Sequence, residues 1–144
     1  MELSRIAGRR LISTNPRATV HEVCDLMVKE GVGAIVVLEE GLLVGIISER
    51  DIVRRVVHRR RDPATTLVSE VMTAPVRTVT DSVTVHASLE MMHQGSFRHL
   101  PLVDSAGQVI GMLSIRDLLR NRIEELDQKN ADLMGYLSID GPGG

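Results

Sequence analysis

The tetrapeptide pattern Ser-x-Arg-Asp occurs twice, at 48–51 and at 114–117. Each copy follows an apolar run of strand length and opens a helical pattern. The start of a helix presents free N–H groups and a partial positive charge, which suits an anion such as a phosphate. A hydroxyl and a carboxylate there can hold a sugar diol, and a guanidinium can hold a phosphate through two hydrogen bonds. The pattern therefore fits ribose-phosphate chemistry.

The same residues also fit a structural role, the capping box. In each copy the serine can cap the helix, and the aspartate three residues later can reach back to the N–H of the cap. A capping box needs no arginine, whereas Arg50 and Arg116 recur. The arginines favour the binding interpretation, and the cap stays open as the alternative.

The pattern belongs to a longer internal repeat. Residues 45–53 read Gly-Ile-Ile-Ser-Glu-Arg-Asp-Ile-Val and residues 111–119 read Gly-Met-Leu-Ser-Ile-Arg-Asp-Leu-Leu, 66 positions apart. Upstream, Thr19-Val20-His21 recurs at 84–86, at an offset of 65. Two copies are too few for a solenoid. Each copy alone would expose an apolar face, so we expect the two to pack face to face about a pseudo-twofold axis.

The composition is that of an ordinary soluble domain. The chain has 144 residues, of which 43% are apolar and 25% charged, and its net charge of −2 gives no reason to expect nucleic acid or an anionic membrane as the main partner. Cys24 is the only cysteine, which fits a reducing compartment. No stretch is apolar enough to span a membrane or to act as a signal peptide. We expect a cytoplasmic protein.

Hydrophobic periodicity predicts the same order of elements in each copy. The first copy predicts a helix from Val20 to near Gly31, strands at 34–38 and 42–47, and a helix from Ser48 to about His58. The second copy repeats this order at 85–93, 99–103, 109–113 and from 114 onward. The expected division of the chain is copy one at 5–61, a connector at 62–75, copy two at 76–123, a helical extension at 124–138 and a disordered tail at 139–144.

The helical extension has the spacing of a coiled-coil seam. Its apolar positions step alternately by four and three residues, with one asparagine in the series, through Leu119, Ile123, Leu126, Asn130, Leu133 and Leu137. A polar residue at such a position can fix the register of two helices. An amphipathic helix packed on its own domain is the alternative, because three heptads are the minimum for a coiled coil.

These motifs resemble a tandem pair of CBS (cystathionine β-synthase) domains, the arrangement called a Bateman module. The resemblance rests on 45–51 and 111–117 and on the strands before them, at 32–37 and 97–102, where Arg-His-Leu-Pro is a typical form of the second copy. It covers about residues 5–123, and the tail that begins Arg122-Ile123-Glu124-Glu125-Leu126 resembles that of small stand-alone bacterial members. It implies a mixed α/β (α+β) fold of two β-α-β-β-α repeats packed with pseudo-twofold symmetry, plus a C-terminal helix.

The resemblance also implies two clefts between the repeats that bind adenosine compounds: AMP, ADP, ATP, S-adenosylmethionine or NAD(H). Carried over by position, Asp51 and Asp117 would hold ribose hydroxyls. The serines and arginines of the motif would touch ribose or phosphate, namely Ser48, Arg50, Ser114 and Arg116. Strand starts would line the adenine and phosphate pockets through Val32, Gly33, Ala34, Phe97, Arg98 and His99. Backbone contacts to the base would come from Ser13, Thr14, Thr78 and Val79.

The function that the resemblance implies is a non-enzymatic, energy-sensing regulatory module. A nucleotide would bind between the copies, and a separate effector protein would respond to the change in a homodimer. The sequence has no nucleophile–base constellation, no Walker-type loop and no cluster with metal-ligand spacing, so no catalytic residue, metal or required cofactor is expected. Which nucleotide binds, whether one or both clefts fill, and which protein responds stay open.

One alternative function is nucleic-acid binding through the basic run from Arg54 to Arg61. The structural alternative for this run is a solvent-exposed helix C-terminus, where the helix dipole favours positively charged side chains. The chain has one Phe, one Tyr and no Trp. Few aromatic side chains are therefore present for stacking on single-stranded bases.

Overall fold

A computed structural model describes residues 2–7 and 10–140, with the backbone alone at 137–140. The first half contains β1 (Ser13–Thr14), α2 (Val20–Glu30), β2 (Ala34–Glu39), β3 (Leu42–Ser48) and α3 (Glu49–Ile52), which a π-helical segment, Val53–Val57, continues. The second half contains α5 (Val85–Gly95), β4 (His99–Val103), β5 (Val109–Ser114) and α6 (Ile115–Asp140). Two short helices precede the halves, α1 (Glu2–Ala7) and α4 (Val68–Val71).

Each half contains an antiparallel β-hairpin, and a short extended segment pairs in parallel with the first strand of that hairpin. In the first half β1 pairs parallel to β2, which pairs antiparallel to β3. In the second half β4 pairs antiparallel to β5, and an isolated bridge from Val79 to Leu102 takes the place of β1. The predicted β-α-β-β-α order and the mixed α and β fold are confirmed.

The register of the hairpins places the two motifs in equivalent positions. Ser48 lies opposite Ala34, and Ser114 lies opposite His99. The next residue donates its N–H to a carbonyl before the strand in both halves, Glu49 to Gly33 at 3.0 Å and Ile115 to Arg98 at 2.8 Å. Each motif therefore begins its helix directly beside the start of the preceding strand.

The helices before the motifs begin and end as their capping residues require. Thr19 caps α2 in a capping box with Glu22, and Gly31 ends it with a φ of +67°, a backbone conformation that glycine adopts without strain. Thr84 caps α5 from the equivalent position, and its hydroxyl accepts the N–H of Ala87. The predicted end of the first helix near Gly31 is confirmed.

The core of each half includes a short helix that lies just before the other copy in the sequence: α4 packs in the first half and α1 in the second. Val68 and Val71 of α4 are buried in the aliphatic core of the first half, although 68–71 falls in the predicted connector. Leu3 of α1 is buried in the core of the second half, and Ser4 of the same helix hydrogen-bonds Asp81. The halves are thus tied together by exchanged segments, which the repeat pattern did not indicate.

The C-terminal helix continues well beyond the second half. α6 has 26 residues, and every residue from 126 to 136 is exposed. The alternative of an extension packed on its own domain is therefore wrong for this part of the helix. Of the predicted disordered tail, residues 139 and 140 belong to α6 and 141–144 lie outside the described residues. Among the described residues, no helix has the length and apolar character to cross a membrane.

Candidate functional site

The larger cleft lies between the first motif and the start of the second hairpin, and we call it the Asp51 cleft. It has a volume of about 740 Å³. Its walls come from four places: the β3–α3 motif with the π-helical segment after it, the segment after α4, the end of α5 with the start of β4, and Gly33 before β2. Side chains of both halves thus line one site, as the pseudo-twofold arrangement predicted.

The carboxylate of Asp51 is fully engaged by its neighbours. One oxygen accepts the N–H of Ser48 at 2.9 Å and its hydroxyl at 3.1 Å, while the Ser48 hydroxyl accepts the N–H of Asp51 at 3.2 Å. The other oxygen accepts the hydroxyl of Thr73 at 2.9 Å. The capping box is therefore real in the first copy, and the threonine adds a bond that the box does not need.

The guanidinium of Arg50 crosses from one half to the other. It donates to the backbone carbonyl of Ser96 at 2.7 Å, so the motif arginine holds the two walls of the Asp51 cleft together. Arg55 donates to the carbonyls of Val71 and Met72 at 3.0 and 2.8 Å. These bonds fix the segment that carries Thr73.

The Asp51 cleft is strongly basic. Five arginines line it against two carboxylates, namely Arg50, Arg54, Arg55, Arg77 and Arg98 against Glu49 and Asp51. Guanidinium groups suit phosphate oxygens because their donors form a planar fork. The cleft thus joins a carboxylate, a hydroxyl and several phosphate-binding groups in one space.

The smaller cleft is the equivalent of the first about the pseudo-twofold axis, and we call it the Asp117 cleft. It has a volume of about 480 Å³. It combines the second motif with the loop and strand start at 31–34 and the segment before β1. The Ser114 hydroxyl accepts the N–H of Asp117 at 3.1 Å. Here too both halves contribute, so the duplication produces two sites.

The carboxylate of Asp117 is much freer than that of Asp51. Its side chain is 36% exposed, against 10% for Asp51. Its charged contact is the guanidinium of Arg120 at 3.8 Å, and no hydrogen bond to this carboxylate is found in the part of the chain that the structure describes. The second motif therefore leaves its acid exposed to the cleft.

Gly33 and His99 line both clefts and form the wall between them. A Cβ added at Gly33 would lie 3.2 Å from Oε1 of Glu49 and 3.7 Å from Cε1 of His99. Burial holds the pKa of His99 below its ordinary value; Glu49 and Asp117 oppose that shift, and Arg98 adds to it. The imidazole thus responds to charges in both clefts at once.

The structure brings twelve of the sixteen predicted site residues to the clefts. The Asp51 cleft contains Gly33, Ser48, Arg50, Asp51, Phe97, Arg98 and His99. The Asp117 cleft contains Val32, Gly33, Ala34, His99, Ser114, Arg116 and Asp117. The other four, Ser13, Thr14, Thr78 and Val79, are not among the lining residues of either cleft. Ser13 and Thr14 pair with β2, and Val79 forms a bridge to Leu102 of β4, so these three residues belong to the sheets.

Sequence reasoning missed the residues just before those extended segments. Thr73, Val76 and Arg77 line the Asp51 cleft, and Arg10 and Ile12 line the Asp117 cleft. Arg10 and Ile12 stand 65 positions before Pro75 and Arg77, so the internal repeat itself relates the two linings. Once one cleft is known, that offset relates Arg77 to Ile12, but it gives no lining counterpart for Val76.

The basic run that suggested nucleic-acid binding does not form one free surface. Arg54 and Arg55 line the Asp51 cleft, Arg55 is bonded to two carbonyls, and Arg61 pairs with Glu70 at 3.2 Å. Among the described residues, no group of three or more His, Cys, Asp or Glu side chains could hold a metal ion.

The comparison with known families agrees with the doubled architecture. The model of the CBS domain matches the chain twice, over residues 3–58 and 68–124. The chain belongs to the CBS-domain family. Its two copies are therefore a tandem CBS pair, and the resemblance predicted from the repeated motif is confirmed. Each match begins at or near the short helix, α1 or α4, that precedes its copy.

Relatives and solved structures share the fold of the CBS pair. An uncharacterized protein of Methanopyrus kandleri is 31% identical over 121 residues, which are 83% of this chain and 62% of that protein, so the chain spans less than two thirds of its length. A protein with CBS domains from Burkholderia ambifaria is 34% identical with a TM-score of 0.81, covering 85% of this chain and 93% of that one.

One solved structure contains a nucleotide. It is a CBS domain protein from Pyrobaculum aerophilum complexed with AMP, 33% identical to this chain with a TM-score of 0.72, over 79% of this chain and 87% of that one. A protein of the same fold and family thus binds an adenosine nucleotide.

Proposed function

We propose that this CBS pair is a non-enzymatic regulatory module that binds adenosine nucleotides in the Asp51 and Asp117 clefts. The observation that carries the proposal is that each cleft unites the Ser-x-Arg-Asp motif of one copy with the strand start of the other. The AMP complex of the Pyrobaculum relative supports adenosine as the ligand class. In this proposal Asp117, and Asp51 once Thr73 yields, hold ribose hydroxyls, while the arginines hold phosphates.

Binding can change the arrangement of the halves because a cleft arginine also joins them. Arg50 donates to the Ser96 carbonyl across the Asp51 cleft at 2.7 Å. A phosphate placed in this cleft competes with that carbonyl for the guanidinium, since a charged acceptor makes the stronger bond. A ligand shifts a conformational equilibrium only by its difference in affinity for the two states. The Arg50 exchange supplies such a difference.

The proposal extends to how the module acts in its cell. It responds to the adenosine nucleotide pool, and hence to energy status, without a required cofactor. It works as a homodimer in the reducing cytoplasm, and a separate effector protein responds to the change. The lone Cys24 fits a reducing compartment, and clefts lined by both halves let a bound nucleotide favour one arrangement of the halves.

Isothermal titration calorimetry with AMP and ATP tests the ligand class, with GMP as the base control. We expect saturable binding of an adenosine nucleotide and at least about tenfold weaker binding in Asp51→Ala/Asp117→Ala, because one buried charge-assisted contact is worth about 1.5–3 kcal/mol. The matched control is Asp25→Ala, which removes an exposed carboxylate that lies outside both clefts. Equal affinities of the double variant and the native chain would contradict the assignment of the site.

A further inference from the structure

From residue 123 onward, α6 carries a row of large apolar side chains that are exposed to solvent. Ile123, Leu126 and Leu133 are 58%, 49% and 56% exposed. Residues 126–136 are all exposed, so this part of the helix is not packed on its own chain. A helical stretch as short as 126–136 is marginal in water when it stands alone, because isolated helices below about 12–15 residues lack a packed apolar face to stabilise them. The row therefore needs a partner.

The spacing of the row assigns it to heptad positions. Steps of four and three place Ile123, Asn130 and Leu137 at position a, and Leu119, Leu126 and Leu133 at position d. In parallel coiled coils, a β-branched residue at a with leucine at d favours two strands. A single asparagine at a specifies register and the two-stranded state.

The asparagine also decides the direction of the partner helix. In a parallel, in-register pair each a position meets the a position of the second copy, so Asn130 meets Asn130 and the two amides hydrogen-bond. In an antiparallel pair an a position meets a d position, which would leave the amide against leucine without a partner. A buried amide without a hydrogen bond costs about 1–3 kcal/mol, so the parallel pair is favoured.

Charges beside the seam fit the same partner. Arg122 occupies position g and Asp127 occupies position e of the next heptad, the pair that meets between parallel helices. Arg122 also contacts Glu125 of its own helix at 3.3 Å. That contact is exposed and worth a few tenths of a kcal/mol, so it does not prevent Arg122 from reaching Asp127 of the second copy.

We infer that residues 119–137 of two copies of this chain form a parallel, in-register, two-stranded coiled coil. The same helix carries Asp117 and Arg120 of the Asp117 cleft in its first two turns. The coiled coil therefore joins the Asp117 clefts of the two subunits by continuous helix. This inference stands independently of which nucleotide binds.

Sedimentation equilibrium of the full chain tests the partner. Leu126→Lys/Leu133→Lys places two charges in the seam, and Gln128→Lys/Ala131→Lys adds two lysines at positions that face away from it. We expect the first variant to weaken dimerisation at least tenfold and the second to leave it unchanged. A monomeric native chain, or equal dissociation constants for the two variants, would overturn the inference. Circular dichroism and nucleotide titration of both variants verify the fold, so failure here is distinguishable from failure of the proposed function.

Oxidative cross-linking tests the direction and register. In a Cys24→Ser background, Asn130→Cys places the thiols of the two copies face to face across the seam, and we expect a covalent dimer under mild oxidation. Gln128→Cys in the same background is the control, because position f faces solvent away from the partner and should stay largely uncross-linked. Failure of the Asn130→Cys chain to cross-link more than the control excludes a parallel, in-register pair.

Discussion

Asp51 and Asp117 end the same motif in the two halves, but their carboxylates have different surroundings. Asp51 accepts three hydrogen bonds from Ser48 and Thr73 and has a side chain that is 10% exposed. Asp117 has a side chain that is 36% exposed, with Arg120 at 3.8 Å. The Asp51 carboxylate completes a capping box, whereas the Asp117 carboxylate is more exposed to its cleft.

The difference arises outside the motif, in the segments that meet it. Arg55 anchors the carbonyls of Val71 and Met72 and so positions Thr73 on Asp51. The equivalent of Arg55, 66 positions later, is Asn121. Asn121 is buried, and its Oδ1 has no hydrogen-bond partner among the described residues. The same motif therefore forms a full capping box in the first copy, whereas the carboxylate of the second copy has no hydrogen bond among the described residues.

The largest expected contrast is in stability. Asp51→Ala removes a capping box and leaves the Thr73 hydroxyl unpaired, so we expect a loss of about 1–3 kcal/mol in the free energy of unfolding. Asp117→Ala removes an acid from the first turn of α6, which is worth less than about 1 kcal/mol. Urea unfolding without ligand measures both. Equal losses would mean that the two acids have the same role.

The next contrast concerns the phosphates of the ligand. The Asp51 cleft contains five arginines and the Asp117 cleft three, one of which, Arg10, pairs with Glu30. We expect ATP to favour the Asp51 cleft and Arg98→Ala to weaken ATP binding about tenfold but AMP binding only about twofold, as expected for loss of one charge-assisted contact. Titration calorimetry compares this variant with Arg17→Ala, whose guanidinium lies outside both clefts. An equal loss for ATP and AMP would contradict the contrast.

The smallest expected effect concerns the wall that the clefts share. Because the pKa of His99 is lowered in the folded chain, the unfolded chain takes up this proton first as the pH falls below about 6.5. The stability that neutral His99 contributes is present above that pH and is lost as the pH falls through the lowered pKa. Urea unfolding at pH 7.5 and 5.5 should show a smaller loss in His99→Gln than in the native chain. Gln94→Ala, which changes an exposed side chain that does not titrate near the end of α5, should keep the native loss.

The sequence predicted much of the fold from features that are local. Thr19 and Gly31 bound α2 as capping chemistry requires, and the apolar runs at 34–38 and 42–47 became β2 and β3 within one residue. The doubled motif identified the family and twelve of the lining residues. It did not find Thr73, in the predicted connector, or Arg77, at the start of the second copy, because their approach to Asp51 depends on contacts distant in sequence.

The sequence by itself determined that there are two copies, two motifs and a heptad helix, because repetition and periodicity are properties of residue order. Only the tertiary structure decided which helix completes which core, since α1 and α4 each pack across to a half that their position in the chain does not indicate. It also decided that Ser48, Thr73 and Arg55 close around Asp51 while Asp117 stays open. Hydrogen bonds form between whatever groups packing brings within reach, and identical motifs meet different groups when their surrounding segments differ.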